Sequence, residues 1–325
     1  MASEFGLDML RFRTFRNGDP PALAAIWGAC GLGPCGSAPP AAFLERSIFS
    51  KPYFDPAGLL IAEADGKPVG FAHAGFGPNA DESAIDRRRG VICALLVHPE
   101  HRRRGLGREL LERAENYLGC PEVQAGAARP LNPFYFGLYG GSDQPGVLAS
   151  DAAAGPFFVR HGYRAVRSSQ VLELRFAEPL APQDPRSADI RRQFDIRFLP
   201  GASISSWWQD CVLGWIEPVE FRLEDKRTGQ PAARVVVWEM DNVEGRWSES
   251  AVGILELLVR TDMRRQGLGR YLVDQLLRAV QDQRFGIVKA QAAAENIAAI
   301  RLFRSLGFRQ TDTGHVYVKG ASTTA

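Results

Sequence analysis

"RRRGLGREL" at residues 102–110 returns as "RRQGLGRYL" at residues 264–272, 162 positions further along the chain. Each copy begins where an apolar run ends, "VICALLVHPEH" before the first and "VGILELLVRTDM" before the second, and each continues into an amphipathic stretch. The unit that repeats is therefore strand, arginine-glycine turn, helix. After the first turn, Leu106, Leu110, Leu111, Ala114 and Leu118 fall on one helical face.

Outward from the two turns the rest of the chain follows the same order twice. "MLRFRTFRNGDPPALAAIWGACG" reads as a strand and then a helix that accepts Pro20 or Pro21 in its first turn, where a missing amide costs nothing. "GLLIAEADGKPVGFAHAGFG" reads as two strands around the hairpin dipeptide Asp65-Gly66. Past the turn helix come "FFVRHGYRAV" and the strand "QVLELRF". The second half repeats this with "FDIRFLP", a helix around Trp207 and Trp208, and a hairpin turning near Thr228-Gly229. Its motif strand and helix are followed by "GIVKAQAAA", "ENIAAIRLFRSLGF" and a last strand, "HVYVKG". Between the halves, "AEPLAPQDPRSADIRRQ" carries three prolines and many charges. This divides the chain into residues 1–177, a linker over 178–193, and residues 194–325.

The halves differ in one respect. From Gly105 to Gly162 there are 57 positions and from Gly267 to Gly307 only 40, so the first half carries 17 extra residues. The added segment contains "NPFYFGLYGGSDQPG", with Phe134, Tyr135, Phe136 and Tyr139 among glycines. It reads equally as a binding loop and as an aromatic plug between the halves.

Composition narrows the function classes. A chain of 325 residues with 45% hydrophobic and 23% charged residues has material for two buried cores. A formal charge of +2 gives no global field for nucleic acid or an anionic membrane. No stretch reaches the about 18 apolar residues of a membrane span. The odd, irregular set Cys30, Cys35, Cys93, Cys120 and Cys211, with no signal-like start, points to a reducing, cytoplasmic setting.

The repeated turn has a physical use. Set between the carboxyl end of a strand and the amino end of a helix, it offers free backbone amides and the positive helix pole at one point, which suits a phosphate. Gly105, Gly107, Gly267 and Gly269 allow close approach, and Arg102, Arg103, Arg104, Arg108, Arg264, Arg265 and Arg270 add charge. The spacing is neither that of a P-loop nor of a dinucleotide fingerprint. "GLGPCG" at residues 31–36 does have the latter spacing, but it follows a helical stretch and precedes two prolines, so it reads as a loop. His98 and His101 lack further ligands at metal-site spacing, and no metal is expected.

Arginine or glutamine followed by x-x-Gly-x-Gly after a valine-ended strand, inside this order of elements, resembles the GNAT acetyltransferase superfamily. Arg102, Gly105 and Gly107 match in one half and Arg264, Gly267 and Gly269 in the other, while "NIAAIRLFRSLGF" is similar to the family's later motif. The resemblance implies an α/β fold of two tandem GNAT domains, each a mixed, splayed central sheet flanked by helices. It also implies acetyl-CoA as acyl donor. The donor's pyrophosphate would lie at the turn, on Leu106 and Leu268 amides and beside Gln266, its pantetheine arm along Val97 and Val259, and its later contacts at Asn296 and Phe303. The acceptor would be a small-molecule or peptide amine, with no nucleic acid and no membrane partner.

Acyl transfer to an amine needs a base, an oxyanion site and a proton for the leaving thiolate. Glu256, an acid inside the apolar run "GILELLV", is the expected base, because burial would raise its pKa. The equivalent position in the first half is Ala94, so the second half is expected to react. Phe158 and Phe303 occupy the place of the family's tyrosine acid, so the proton comes from Tyr317 on the last strand or from water, or the thiolate leaves unassisted. The competing reading is an acyl-CoA-binding protein with chemistry lost in one or both halves.

Overall fold

The computed structural model describes residues 9–31, 39–176, 180, 184–201, 206–214, 216–240 and 250–320. The "GLGPCG" loop falls largely outside them. The first half runs β1 (Leu10–Thr14), α1 (Pro20–Cys30), α2 (Ala41–Leu44), β2 (Leu59–Ala64), β3 (Lys67–Pro78), β4 (Ile85–Val97) and α3 (Leu106–Leu118). It continues through β5 (Glu122–Ala125), β6 (Val147–Leu148), α4 (Ala154–Arg160) and β7 (Arg164–Arg175). Then come α5 (Ser187–Gln193), β8 (Phe194–Pro200), α6 (Trp207–Leu213), β9 (Val219–Asp225), β10 (Pro231–Glu239) and β11 (Ala251–Val259). The chain closes with α7 (Leu268–Asp282), β12 (Ile287–Ala293), α8 (Ile297–Ser305) and β13 (Arg309–Gly320). Part of the stretch read as linker is thus the helix α5.

Local chemistry accounts for the main elements. Pro20 opens α1, and the Asp65-Gly66 turn carries φ of 50° and 75°, the left-handed pair that a tight hairpin requires. Helix α3 buries the face Leu106, Leu110, Leu111, Ala114 and Leu118, as its spacing predicts. Helix α7 does the same in the second half with Leu268, Leu272, Leu276 and Val280.

All but β6 join in one path, β1-β2-β3-β4-β5-β13-β7-β12-β11-β10-β9-β8. The order is not that of two separate sheets. The final strand of the second half, β13, pairs antiparallel with β5 of the first, Tyr317 opposite Ala125. Reciprocally β7 pairs with β12 of the second half, Leu172 opposite Ala290. The exchanged strands also pair with each other, Gly314 opposite Ser169. A buried ion pair of 3.0 Å between Lys289 on β12 and Glu173 on β7 sits on this seam.

The insertion packs into the core of the first half and against the second. Phe134 and Tyr135 lie in the core of the first half, while Phe136 packs on Trp238 of β10 at 5.0 Å between ring centres. Trp238 Nε1 donates to the Ser142 carbonyl at 3.0 Å, and Gln291 of β12 donates to the Gln144 carbonyl at 3.2 Å.

Candidate active site

The two turns fold alike. Arg103 and Gly105 have φ of 64° and 84°, and Arg265 and Gly267 have 66° and 86°. No side chain caps the start of α3 or of α7, so the first amides of both helices are left for another acceptor. Arg102 and Arg264 have a task that spacing alone did not reveal. Their Nε atoms donate to the carbonyls of Val97 at 2.9 Å and Val259 at 3.1 Å, closing each turn onto the end of its strand. Leu106 and Leu268 are core anchors, present at the turn only through their backbone.

Above the turns, each motif strand has a bulge at the same place. Opposite β3, β4 shifts register at Cys93, and opposite β10, β11 shifts at Leu255. In the first half the parallel pairing of β4 with β5 ends at Ile92 opposite Ala125. In the second half the pairing of β11 with β12 ends at Gly253 opposite Lys289. Beyond these points the strands diverge, and backbone groups that would bond a neighbour are available to a ligand.

In the first half this V opens into a cavity of about 400 Å³. Its walls include Cys93, Ala94 and Leu96 of β4, Gly126, Phe158 of α4, and Tyr139, Gly141 and Leu148 of the insertion. Thr311 and Asp312 of β13 complete it, so both halves build this one space. Tyr139 donates to the Cys93 carbonyl at 3.0 Å, and burial pushes its pKa well above the ordinary phenol value, keeping the proton on. Burial likewise raises the thiols of Cys93 and Cys30, which therefore stay protonated and poorly nucleophilic. Two carboxylates face the cavity. Asp151 accepts from the amides of Ala153 at 3.1 Å and Ala154 at 3.2 Å at the start of α4. Asp312 accepts from the Ser150 hydroxyl and from the Thr313 amide at 2.7 Å.

The two catalytic candidates do not meet. Glu256 is not buried: its side chain is 34% exposed and pairs with Arg234 of β10 at 2.6 Å. The apolar run around it is buried only from Ala251 to Ile254, and from Leu255 to Leu257 the strand is half-buried. Tyr317 is carried by β13 into the first half, where its ring packs on Phe158 at 5.9 Å. A Cβ built on Gly155 of α4 would lie 2.8 Å from the Tyr317 hydroxyl, so the glycine makes room for it. Strand exchange is the physical reason for the separation. Leu172, ten residues after Gly162 as Tyr317 is ten after Gly307, holds the matching place in the second half.

Of the later-motif residues, Asn296 caps α8 by accepting from the Ala299 amide at 3.1 Å. Phe303 is buried against Phe308 with ring centres 5.1 Å apart, inside the second core. Arg108 pairs with Glu112 at 2.8 Å along α3, and Arg270 donates to the Ser305 carbonyl at 3.2 Å. Among the described residues there is no cluster of three or more metal-ligating side chains.

The model of the acetyltransferase (GNAT) family matches residues 23–133 and again residues 187–308. The chain belongs to the GNAT acetyltransferase family. It is an N-acetyltransferase of tandem layout, and it is 30% identical over 275 residues to a mycothiol acetyltransferase of Kineococcus radiotolerans, covering 80% of this chain and 81% of the relative. Among solved structures, it resembles a tandem GNAT protein from the clavulanic acid biosynthesis pathway, with a TM-score of 0.66 at 16% identity, over 97% of this chain and 100% of the other. A GCN5-related N-acetyltransferase from Sphaerobacter thermophilus is similar with a TM-score of 0.62 at 16% identity, over 95% of each chain. Those two likenesses concern the fold. No described helix is long and apolar enough to cross a membrane.

Proposed function

We propose that this chain transfers an acetyl group from acetyl-CoA to an amine by direct attack, and that the first-half V is where it does so. The observation that carries this reading is the cavity of about 400 Å³ at the divergence of β4 and β5, beside a turn where no described residue approaches Gly105. The residues at that turn fit the donor's phosphates: a Cβ on Gly105 would meet no atom within 4 Å, and the amides at the start of α3 are uncapped.

Acetyl-CoA supplies the thioester carbonyl, and the chain supplies its surroundings. Free amides of β4 past the bulge at Cys93 suit the oxyanion of the tetrahedral intermediate. Asp151 and Asp312 draw a protonated amine to the cavity, and a carboxylate there takes one ammonium proton, which frees the lone pair that then attacks the thioester carbonyl. Tyr317, whose hydroxyl lies over α4, is the candidate donor to the departing thiolate. Raised thiol pKa values at Cys30 and Cys93 speak against a covalent cysteine intermediate. Similarity to a mycothiol acetyltransferase favours a small-molecule acceptor over a protein. The described cysteines are free, which suits a cytoplasmic setting.

A second reading keeps the chemistry in the second half, and its support is the accessible carboxylate of Glu256 beside the β11 bulge. Two variants separate the readings. Gly107→Asp and Gln266→Asp each put a negative charge at one donor turn, where it repels a phosphate; Gly269 is avoided because a Cβ there would lie 3.2 Å from Val259 and 3.3 Å from Leu302. Thiol release from acetyl-CoA with a panel of amines should be abolished by the first and kept by the second. The opposite pattern would move the reaction to Glu256.

A further inference from the structure

The two arginine-glycine turns share a backbone conformation but not their surroundings. Among the described residues a Cβ on Gly105 would meet no atom within 4 Å, whereas one on Gly267 would meet the guanidinium of Arg186 and the side chain of Ile190, each at 3.8 Å. Both belong to the segment that joins the halves. Beyond residue 184 the segment crosses α7 and enters α5, where Ile190 is buried in the core of the second half.

That segment also brings its own anion. The Asp184 carboxylate accepts from Arg186 through the backbone amide at 3.0 Å, through Nε at 3.1 Å and through Nη2 at 2.9 Å. It lies 3.9 Å from Nε of Arg270, the arginine that ends the second motif. Hydrogen bonds from the Arg186 side chain and backbone hold its pKa down to about 2, so it is charged at any physiological pH. A space of about 390 Å³ beside α7 is lined by Asp184, Arg186 and Ile190 of this segment together with Gly267, Arg270 and Arg304.

We infer that the segment Asp184–Ile190 closes the second donor turn, its carboxylate standing where a phosphate would neutralise the arginines, so that the folded chain takes one acetyl-CoA rather than two. This rests on the reading that the first turn binds the donor. The closure is an exposed ionic contact anchored at one end, with the Arg186 side chain 61% exposed, and it can be released without opening a core.

The test is calorimetric titration of the intact chain with acetyl-CoA. The wild type should take one equivalent, and Asp184→Ala with Arg186→Ala should take two. Adding Gly107→Asp to that pair should return the count to one, which assigns the new equivalent to the second half. Gly107 is chosen over Gly105 because Gly105 has a φ of 84° and any side chain there strains the turn. Two equivalents in the wild type, or one in the released variant, would overturn the closure. If the wild type binds none and the released variant binds one, the first-half reading fails and the closure stands. If neither binds, both fail.

Discussion

Cutting the chain between residues 180 and 181 should leave two halves that cannot fold as monomers. The reason lies in the exchanged strands. On β7, Val171, Leu172 and Leu174 are buried, and on β13 so are Val316, Tyr317 and Val318. A buried side chain of this size is worth about 1.5–3 kcal/mol relative to exposure. Separation strips each strand of only some of its neighbours, so roughly half of that total, on the order of 5–9 kcal/mol, is lost. A domain has about 5–15 kcal/mol to lose. Ladders of β13 with β5 and of β7 with β12 are lost as well, which leaves unpaired edges that invite aggregation. The assay is expression of residues 1–180 and 181–325 separately and together, followed by size-exclusion chromatography and thermal melting by circular dichroism. Each half alone should aggregate, self-associate or melt without cooperativity, and the co-expressed halves should purify as a 1:1 complex through a tag on one of them. A monomeric first half with a sharp melt of its own would refute the argument that the exchanged strands hold the fold.

Glu256→Gln should change turnover by less than about threefold, because its carboxylate is exposed and held by Arg234; a fall in the ~10²–10⁴-fold range of a lost general base would restore the second-half mechanism. Tyr317→Phe should keep the melting point within a few degrees, since only a hydroxyl is removed from a ring that remains packed on Phe158, yet slow thiol release at saturating acetyl-CoA. An unchanged kcat would return Tyr317 to a packing role. His73 is fully buried, and desolvation pushes it down from 6.5 to about 3. Between those values the unfolded chain binds one more proton, so stability should fall as pH drops through that window, by up to about 1.4 kcal/mol per pH unit. Denaturant titrations of the wild type and His73→Phe between pH 4 and 7 should show the steeper slope only in the wild type.

The local elements were legible because their signals are short-range. Apolar spacing marks the buried face of α3, the Asp65-Gly66 dipeptide marks its hairpin, and the glycine pairs mark both turns, since each of these depends on a few neighbouring residues. The partnering of β7 and β13 was not legible. A strand's pattern states which of its faces is buried and not which strand lies beside it, and the exchange leaves every local pattern intact. For the same reason the surroundings of Glu256 were not legible: an acid in an apolar run reads as buried or as surface-facing until the neighbouring strand is known, and there Arg234 of β10 reaches it diagonally. The segment before α5 reads as linker from its prolines and charges, although Asp184 and Arg186 lie on the second turn.

Strand exchange also explains how duplication can end in one site rather than two. The sequence places Glu256 and Tyr317 in the same half, but the fold gives Tyr317 to the first V and leaves Glu256 beside the second, with Ala94 and Leu172 at the complementary positions. Glu256 and Tyr317 therefore lie in different halves of the fold. The asymmetries that follow all favour the first. Its turn is open where the second is covered by Arg186 and Ile190. Its cavity is completed by Thr311 and Asp312 from the other half. On the second side, the insertion lies against β11, where a Cβ on Gly253 would be 3.1 Å from that of Ser142. The second half thus contributes a strand to the sheet of the first and a wall, Thr311 and Asp312, to its cavity.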